Sequence, residues 1–460
     1  MALSPATLKA AQRSGTPQPV RDQAREIFRT VIGFRTSEGL GQVPTMAKYL
    51  ADEFRRGGFP EADIHILPLG ETASLVVRYR GERNGGRPIL LLAHMDVVTA
   101  KPEEWQRDPF TLIEENGYFF GRGTLDNKQG VTTLAATFLR LRKEGFVPGR
   151  DLIIAFTGDE ETGQLTAQDL ATNHRALVDA EFALNSDDGG GALDSNGKPQ
   201  YLGLVGAEKI SASFEVTIHN PGGHSSAPRP DNAIYELADA LKAIQGYRFP
   251  VMSNDWTLGS FKAASAVTPG PLGDAMRRFA ANPGDAAAAD EIGRVPTEVG
   301  KTRTTCVATM LKAGHAPNAL PQTATATVNC RIFPGTKVSD VQATLQKLAG
   351  NNVEIHLLRE AHEAPASPLR EDVRAAVTKA VHAIHPDVPV VPGMVPWATD
   401  GVIFRAAGIP TYGVAGTFIK PSDQFSHGLN ERIPVQSFYD ELTYWYVLLH
   451  ELAGKPGSRS

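Results

Sequence analysis

The chain has 460 residues, 42% of them hydrophobic and 21% charged, which suits a globular protein of about two or three domains. Its net charge of −5 offers no basic surface of the kind that nucleic-acid-binding proteins carry, and no apolar stretch approaches the roughly 20 residues of a membrane-spanning helix. Cys306 and Cys330 make neither a disulfide framework nor a Cys-x-x-Cys motif, so a zinc site would rest on histidines and carboxylates.

The first 20 residues are polar and contain prolines, which indicates a loosely held lead-in. They lack the charged and apolar regions of a signal peptide, so we predict a cytoplasmic protein, or a periplasmic or secreted one if a leader has been removed. Helical periodicity follows at 20–31 and 43–57, and strand patterns follow at 63–67 and 74–79.

The apolar run in 88–98 is typical of a strand buried on both faces, and it ends in His94 and Asp96. Side chains two positions apart in a strand point to the same side, so both residues can face one cavity at the sheet edge, where open α/β sheets bind ligands. A histidine with a carboxylate behind it is typical of a metal site. The alternative is a polar strand end closed by a hydrogen-bonded pair.

Further carboxylates and one histidine follow predicted buried strands or lie in glycine-rich loops: Asp126, Glu160, Glu161, Asp187, Asp188 and His427. Taken singly, Asp126 is equally suited to cap a helix, and the consecutive glutamates to form a solvated acidic turn. Taken together with His94, two imidazoles and three carboxylates suit two zinc ions that share a bridging carboxylate. Cobalt or manganese would be possible substitutes.

From about residue 209 the pattern changes to strand–helix–strand–strand–helix–strand, which indicates a smaller α+β domain inserted into the first. We therefore expect a first domain formed by residues 1–208 and 360–460, and an inserted domain formed by 209–359. Residues 264–300 are rich in glycine, proline and alanine and show no clear periodicity.

Five segments carry a family resemblance: His94-Met-Asp96, Gly121 to Lys128, Gly158 to Gly163, Gly222 to Ser226, and His427 to Ile433. Over about residues 20–450 the chain resembles, in the same order, the aminoacylase / carboxypeptidase G / succinyl-diaminopimelate desuccinylase family of dinuclear zinc hydrolases, with loops most similar to the carboxypeptidase S-like branch. The resemblance implies an α/β/α zinc-exopeptidase-type catalytic domain with a mixed central sheet. It also implies that the insert is a ferredoxin-like lid and dimerisation domain.

The resemblance also implies roles for individual residues. The metal ligands would be His94, Asp126, Glu161, Asp188 and His427, with Asp126 bridging the metals next to a peptide bond to Asn127 that the family often holds cis. The relatives' Asp-Glu-Gly motif favours Asp188 as a ligand, with Asp187 as the alternative. Asp96 would orient His94, Glu160 would be the general base, and His224 would support the oxyanion in a neighbouring subunit's site.

Substrate contacts are predicted on both domains. Arg331 and Asn318 resemble the residues that hold the substrate's carboxylate and polarised carbonyl, while Asp400 and Gly413 either line the pocket or cap a strand. The implied reaction is hydrolysis of an amide bond in a small substrate with a free carboxylate: a dipeptide, the C-terminal residue of a peptide, or an N-acyl amino acid. The alternatives are an aminopeptidase and a non-catalytic metal-dependent binding protein. A homodimer through 209–359 is expected, with no nucleic-acid or membrane partner.

Overall fold

A computed structural model of the chain describes residues 15–82 and 85–454, so most of the predicted lead-in lies outside the described residues. The chain divides into two compact units. The first comprises the described residues of Met1–Gly206, Ser367–Gly393 and Thr399–Ser460, and the second comprises Ala207–Ala366 and Met394–Ala398. The inserted domain expected at 209–359 falls inside the second unit.

The helices of the described residues are, in chain order, α1 (Gln18–Gly33), α2 (Val43–Arg56), α3 (Lys128–Lys143), α4 (Leu165–Thr172), α5 (Arg175–Val178), α6 (Ala233–Gly246), α7 (Asp255–Ser265), α8 (Gly270–Ala281), α9 (Ala286–Ile292), α10 (Pro296–Val299), α11 (Val338–Ala349), α12 (Glu371–His382), α13 (Gly401–Ala406) and α14 (Val435–Ala453).

The strands are β1 (Ile64–Leu69), β2 (Thr72–Tyr79), β3 (Ile89–His94), β4 (Ile113–Glu115), β5 (Tyr118–Phe120), β6 (Leu152–Thr157), β7 (Phe182–Leu193), β8 (Pro199–Glu208), β9 (Ile210–His219), β10 (Gly223–His224), β11 (Thr305–Ala313), β12 (Ala319–Leu320), β13 (Thr323–Ile332), β14 (Val353–Leu357), β15 (Val390–Val395), β16 (Thr411–Ile419) and β17 (Arg432–Pro434).

The largest sheet of the described residues has eight strands in the order β1-β2-β6-β3-β7-β16-β8-β15. Its middle is parallel, because β3 pairs in parallel with both β6 and β7, and β7 pairs in parallel with β16. Every residue of β3 and β6 is buried, as the apolar runs predict for strands covered on both faces. The predicted α/β class with a mixed central sheet is therefore confirmed.

Three parallel strands place their polar residues at one edge of this sheet. His94, the last residue of β3, pairs with Thr157, the last residue of β6. Strand β7 is paired with β3 as far as Leu92 and Asn185 and then continues beyond β3. The residues that follow these points therefore meet at the carboxyl edge of the sheet, where ligands of open α/β sheets bind.

The second unit contains an antiparallel sheet in the order β11-β13-β9-β14. Alternate residues of β9 and β13 are buried, and they pack with buried residues of α6 and α11 in one hydrophobic core. The strand order and the two helices confirm the predicted small α+β domain.

Cys306 and Cys330 lie opposite each other on β11 and β13 and form a disulfide, which was not predicted from the sequence.

Residues 264–300, expected to lack a regular pattern, are largely helical in the structure. Helices α7, α8 and α9 enclose a small core of their own, formed by Phe261, Ala275, Met276, Phe279, Ala288, Ala289 and Ile292. Each of these helices is short and several core positions are alanine, so no single window contains enough large apolar residues for a helical periodicity to stand out. Among the described residues, no helix is both long and apolar enough to cross a membrane.

Candidate metal centre

Two imidazoles and three carboxylates of the first unit converge at the carboxyl edge of the sheet. His94 Nε2 lies 2.9 Å from Asp126 Oδ1 and 3.4 Å from Asp187 Oδ1. His427 Nε2 lies 3.1 Å from Asp126 Oδ2 and 2.9 Å from Glu161. Asp126 therefore lies between the two imidazoles and offers one oxygen to each.

The donor set fits divalent cations. Ligand atoms of His94, Asp126 and Glu161 all lie within 4.8 Å of one another, and so do those of His94, Glu160 and Asp187. Imidazole nitrogen and carboxylate oxygen are ligands that zinc and similar metals accept. Buried carboxylates are costly unless a positive charge neutralises them, and this cluster holds more carboxylates than imidazoles.

The protonation of the cluster reflects this excess of acid. Burial lowers the pKa of His94, but the nearby Asp187 and Asp126 carboxylates outweigh it and raise that pKa well above its ordinary value. Hydrogen bonds to Asp126 and Glu161 raise the pKa of His427 to about 10. Burial raises the pKa of Asp187 to about 6. The imidazoles and carboxylates of the cluster thus hold protons that partly neutralise its negative charge. A bound cation would neutralise the same charge.

The structure brings Asp187 into the cluster in preference to Asp188. Asp187 Oδ1 lies near His94 and also accepts a hydrogen bond from Asn127 Nδ2 at 3.0 Å. Asp188 Oδ1 instead accepts from the Gly189 N–H, and a Cβ built on Gly413 would lie 2.7 Å from the Asp188 Cβ. Neighbouring side chains of a strand point to opposite faces, so only one of the two can reach His94. This geometry favours the alternative, Asp187, whose role as a ligand is a proposal.

Asp96 contacts the Glu160–Glu161 loop in addition to His94, which it was predicted to orient. His94 Nδ1 lies 3.0 Å from the main-chain carbonyl of Asp96 and 3.4 Å from its Oδ1. The two carboxylate oxygens of Asp96 accept hydrogen bonds from the backbone N–H groups of Glu160 and Glu161, at 3.1 and 3.0 Å. Asp96 therefore ties the loop that carries both glutamates to the end of β3.

Glu160 lies beside the cluster. Gln164 Nε2 donates to Glu160 Oε1 at 3.2 Å. Burial, followed by the charge of Asp187, raises the pKa of Glu160 well above its ordinary value. A carboxylate with a raised pKa is suited to accept a proton near neutral pH and to release it again.

Glu431 lies in the segment from His427 to Ile433, and the sequence predicts no separate role for it. It is fully buried, and its Oε1 accepts hydrogen bonds from the N–H groups of Gly123, Leu125 and Asp126, at 3.1, 2.7 and 3.0 Å. Its Oε2 accepts from Arg122 at 2.6 Å. Glu431 therefore shapes the loop that presents Asp126.

The peptide bond from Asp126 to Asn127 is cis, as the resemblance implies.

We expect Glu431→Ala to lower the free energy of unfolding by about 3–5 kcal/mol, because it leaves the buried Arg122 guanidinium without its carboxylate. Glu431→Gln keeps an acceptor oxygen for the loop and is expected to cost less. Urea unfolding followed by circular dichroism measures both variants. An alanine variant as stable as the parent protein would contradict this role.

Two residues predicted to contact substrate are buried in the first unit. Asp400 is 5% exposed, and Thr157 Oγ1 donates to its Oδ2 at 2.5 Å. Burial raises the pKa of Asp400 to about 8. Gly413 is a buried residue of β16 packed against Asp188. Both residues are therefore buried in the first unit, and the two roles expected for them, lining the substrate pocket or capping a strand, stay predictions.

The other predicted substrate contacts lie in the second unit. His224 is exposed on β10 and pairs with Ala319 of β12, next to Asn318, whose carbonyl accepts from the Ser225 N–H at 3.0 Å. The Ser226 N–H donates to His224 Nδ1 at 3.1 Å, so a neutral His224 ring carries its proton on Nε2. This unit thus brings His224 and Asn318 together. Arg331 lies on β13, where burial lowers its pKa.

Comparisons with known proteins place these features in a family. Residues 90–451 match the sequence model described as Peptidase family M20/M25/M40. The N-fatty-acyl-amino acid synthase/hydrolase PM20D1 of Xenopus tropicalis is 32% identical over 385 residues, which cover 82% of this chain and 74% of that protein. The probable carboxypeptidase S-like 2 of Dictyostelium discoideum is 27% identical over 441 residues, 92% of this chain and 82% of that protein.

A solved structure shares the fold. The M20 family metallo-carboxypeptidase Sso-CP2 from Sulfolobus solfataricus superposes with a TM-score of 0.70 at 18% identity, covering 93% of this chain and 98% of that one. The resemblance inferred from the five sequence segments is therefore confirmed. The family match spans most of the sequence, and the imidazoles and carboxylates near His94, Asp126 and Glu161 converge in space. The chain therefore belongs to Peptidase family M20/M25/M40, as a metallopeptidase or amidohydrolase.

Proposed function

We propose that the protein hydrolyses the amide bond of a small substrate with a free carboxylate, and that an N-acyl amino acid is its main substrate class. The observation that carries this proposal is Glu160 beside a cluster of imidazoles and carboxylates centred on Asp126. The names of the relatives, an N-fatty-acyl-amino acid hydrolase and a carboxypeptidase-like protein, support it. In an N-acyl amino acid and at the C-terminus of a peptide alike, the cleaved amide is next to a free carboxylate.

We propose that His94, Asp126 and Asp187 hold one divalent cation and that Asp126, Glu161 and His427 hold a second. Zinc is the proposed metal, with cobalt or manganese as possible substitutes. Bound there, the cations would lower the pKa of water from 15.7 to about 7 and polarise the substrate carbonyl.

The protein's own groups would move the protons and position the reactants. Glu160 would take a proton from the attacking water and deliver it to the leaving amine. Asp96 holds the backbone of Glu160 and Glu161, so it would fix the position of this base. His224, with its proton on Nε2, would donate to the oxyanion. A homodimer through 209–359, in which His224 serves a neighbouring subunit's site, stays a prediction.

Arg331 is the proposed partner of the substrate carboxylate, and Asn318 the proposed partner of its carbonyl. Among the ion pairs of the described residues, none involves Arg331, so its guanidinium has no carboxylate of its own to displace. We expect Arg331→Gln to raise KM about tenfold or more with a much smaller change in kcat, since hydrogen bonds to charged groups contribute about 1.5–3 kcal/mol.

A hydrolysis screen with matched substrates tests the proposed function. The panel contains an N-acyl amino acid, its carboxamide, a dipeptide, the N-blocked dipeptide and the dipeptide amide, each with chelated protein and then with zinc- or cobalt-restored protein. We expect metal-dependent cleavage of the substrates that carry a carboxylate. Cleavage that needs a free amine would indicate an aminopeptidase, and fully metal-loaded but inert protein would indicate a binding protein.

The compartment also stays a proposal. The cytoplasm is the prediction from the sequence, and the periplasm or the outside of the cell is the alternative. The disulfide between Cys306 and Cys330 favours the alternative, because disulfides persist mainly in oxidising compartments.

A further inference from the structure

Lys209 in the second unit is a buried lysine without a carboxylate partner. It is fully buried just before β9, and its Nζ donates to the Arg303 carbonyl at 2.8 Å and to Thr305 Oγ1 at 3.3 Å. Buried lysines are rare in proteins unless they are paired with an acid. Among the ion pairs of the residues that the structure describes, none involves Lys209.

Lys209 and Arg331 lie at the same corner of the antiparallel sheet. Thr305, which accepts a hydrogen bond from Lys209, is paired in register with Arg331 across β11 and β13. Ser211, two residues after Lys209, is paired with Arg331 on the other side. The partly exposed guanidinium of Arg331 is thus flanked by the segments that hold the buried ammonium group.

The other charged groups around Lys209 do not neutralise this corner. Arg303 is a third cation, and its guanidinium lies 3.4 Å from Asp290. Glu208, the residue before Lys209, is buried, and no ion pair of the described residues joins it to Lys209 or Arg331. Within the described part of the chain, the neighbouring cations Lys209 and Arg331 are therefore not paired with an anion, which is the arrangement expected of a site that receives its anion from a ligand.

We propose that Lys209 turns the carboxylate site at Arg331 into a two-cation site, so that binding of the substrate's carboxylate is coupled to proton uptake by Lys209. This inference rests on the proposed function, in which Arg331 holds that carboxylate. Lys209 is buried and does not touch the ligand, so it is a positioning residue that acts through the charge of the Arg331 site.

The direction of the coupling follows from electrostatics. Burial, followed by the charge of Arg331, lowers the pKa of Lys209 to about 7 in the ligand-free protein. A carboxylate bound to Arg331 offsets that repulsion and attracts the ammonium group, so the pKa of Lys209 rises in the complex. Below pH 7 the lysine is charged in both states and binding is tightest. As the pH rises through both pKa values, the charge is lost and binding weakens.

The size of the effect is set by the rise in pKa. A rise of about one unit makes Kd about tenfold larger at high pH than at low pH. It also makes the protein take up roughly half a proton per ligand near pH 7.5.

Calorimetry with a carboxylate ligand and its uncharged counterpart tests the coupling. The metal-loaded Glu160→Gln protein, which is expected not to turn its ligands over, is titrated with N-lauroylglycine and with N-lauroylglycinamide. Titrations in two buffers with different heats of ionisation yield the number of protons taken up. We expect roughly half a proton for the acid near pH 7.5, and none for the amide. The Kd of the acid should rise about tenfold between pH 6 and pH 8.5.

Variants assign the proton to its residue. In the same background, Lys209→Met should abolish the uptake and weaken acid binding at pH 6 about tenfold. Lys242→Met, which changes an exposed lysine of α6, is the matched control and should leave the uptake unchanged. Uptake that persists in the Lys209→Met protein would overturn the proposal.

If the Lys209→Met protein fails to fold, the acid and amide titrations of the Glu160→Gln protein, in which Lys209 is intact, still test the proposal. Equal uptake for the acid and the amide, or none for the acid, would also overturn the proposal. Failure of the proposed function would be detected in a different measurement, the hydrolysis assay. In that case the protein with Glu160 intact would cleave neither the acid nor its peptide analogues.

Discussion

Replacing Glu160 by Gln is expected to lower kcat about 10³-fold, while the protein keeps its fold and its bound metal. The amide is nearly the same size as the carboxylate and can still interact with Gln164, but it cannot accept a proton from water. Steady-state kinetics on the most active substrate of the screen, together with metal analysis of the same preparation, measures both parts of the expectation.

A matched control for this variant is Glu103→Gln, which makes the same change at an exposed glutamate of the first unit. It should leave kcat, KM and metal content unchanged. If the Glu160→Gln protein with full metal content retained kcat within about tenfold of the parent, Glu160 would not be the general base, since proton transfer by a positioned side chain contributes about 10²-fold or more.

The comparison of Asp187→Asn with Asp188→Asn is expected to produce the second largest difference. Asp187 lies 3.4 Å from His94 Nε2, so its replacement by the neutral amide should weaken binding of one of the two cations and lower kcat about 10²- to 10³-fold. Asp188 packs against Gly413 on the opposite face of β7, and its replacement should leave metal binding intact.

Metal titration of the chelated proteins distinguishes the two variants. We expect one cation to be lost or weakened in the Asp187→Asn protein, and two to be retained in the Asp188→Asn protein. Thermal unfolding of both chelated proteins shows whether either substitution disturbs the sheet itself. The reverse result, with metal binding weakened in the Asp188→Asn protein alone, would restore the assignment that the sequence motif favoured.

The choice between Asp187 and Asp188 shows where sequence reasoning reaches its limit in this protein. Four members of the cluster are candidates from the sequence alone, because each lies at a strand end or in a glycine-rich loop within a motif: His94, Asp126, Glu161 and His427. Two consecutive aspartates at a strand end satisfy the same motif. Since a shift of one residue moves a side chain to the other face of a sheet, only the register of β7 against β3 separates them.

Other features had no local pattern to predict them. Glu431 accepts hydrogen bonds from backbone N–H groups some three hundred residues earlier in the chain. Such bonds cannot be predicted from residue types, because nearly all residues have the same backbone N–H group. The disulfide joins cysteines that are 24 residues apart on neighbouring strands, and their pairing depends on the register of β11 and β13. The fold class was predictable because buried strands and amphipathic helices are local patterns, whereas these contacts depend on tertiary structure.

The dependence of the Asp126 loop on Glu431 has a consequence for the biosynthesis of the protein. The carboxylate that organises the Asp126 loop and the second imidazole of the cluster, His427, are made more than three hundred residues after Asp126. A nascent chain that stops short of residue 427 therefore lacks both the support from Glu431 and one of the imidazoles of the centre. The cluster can be completed only after residue 431 has been made.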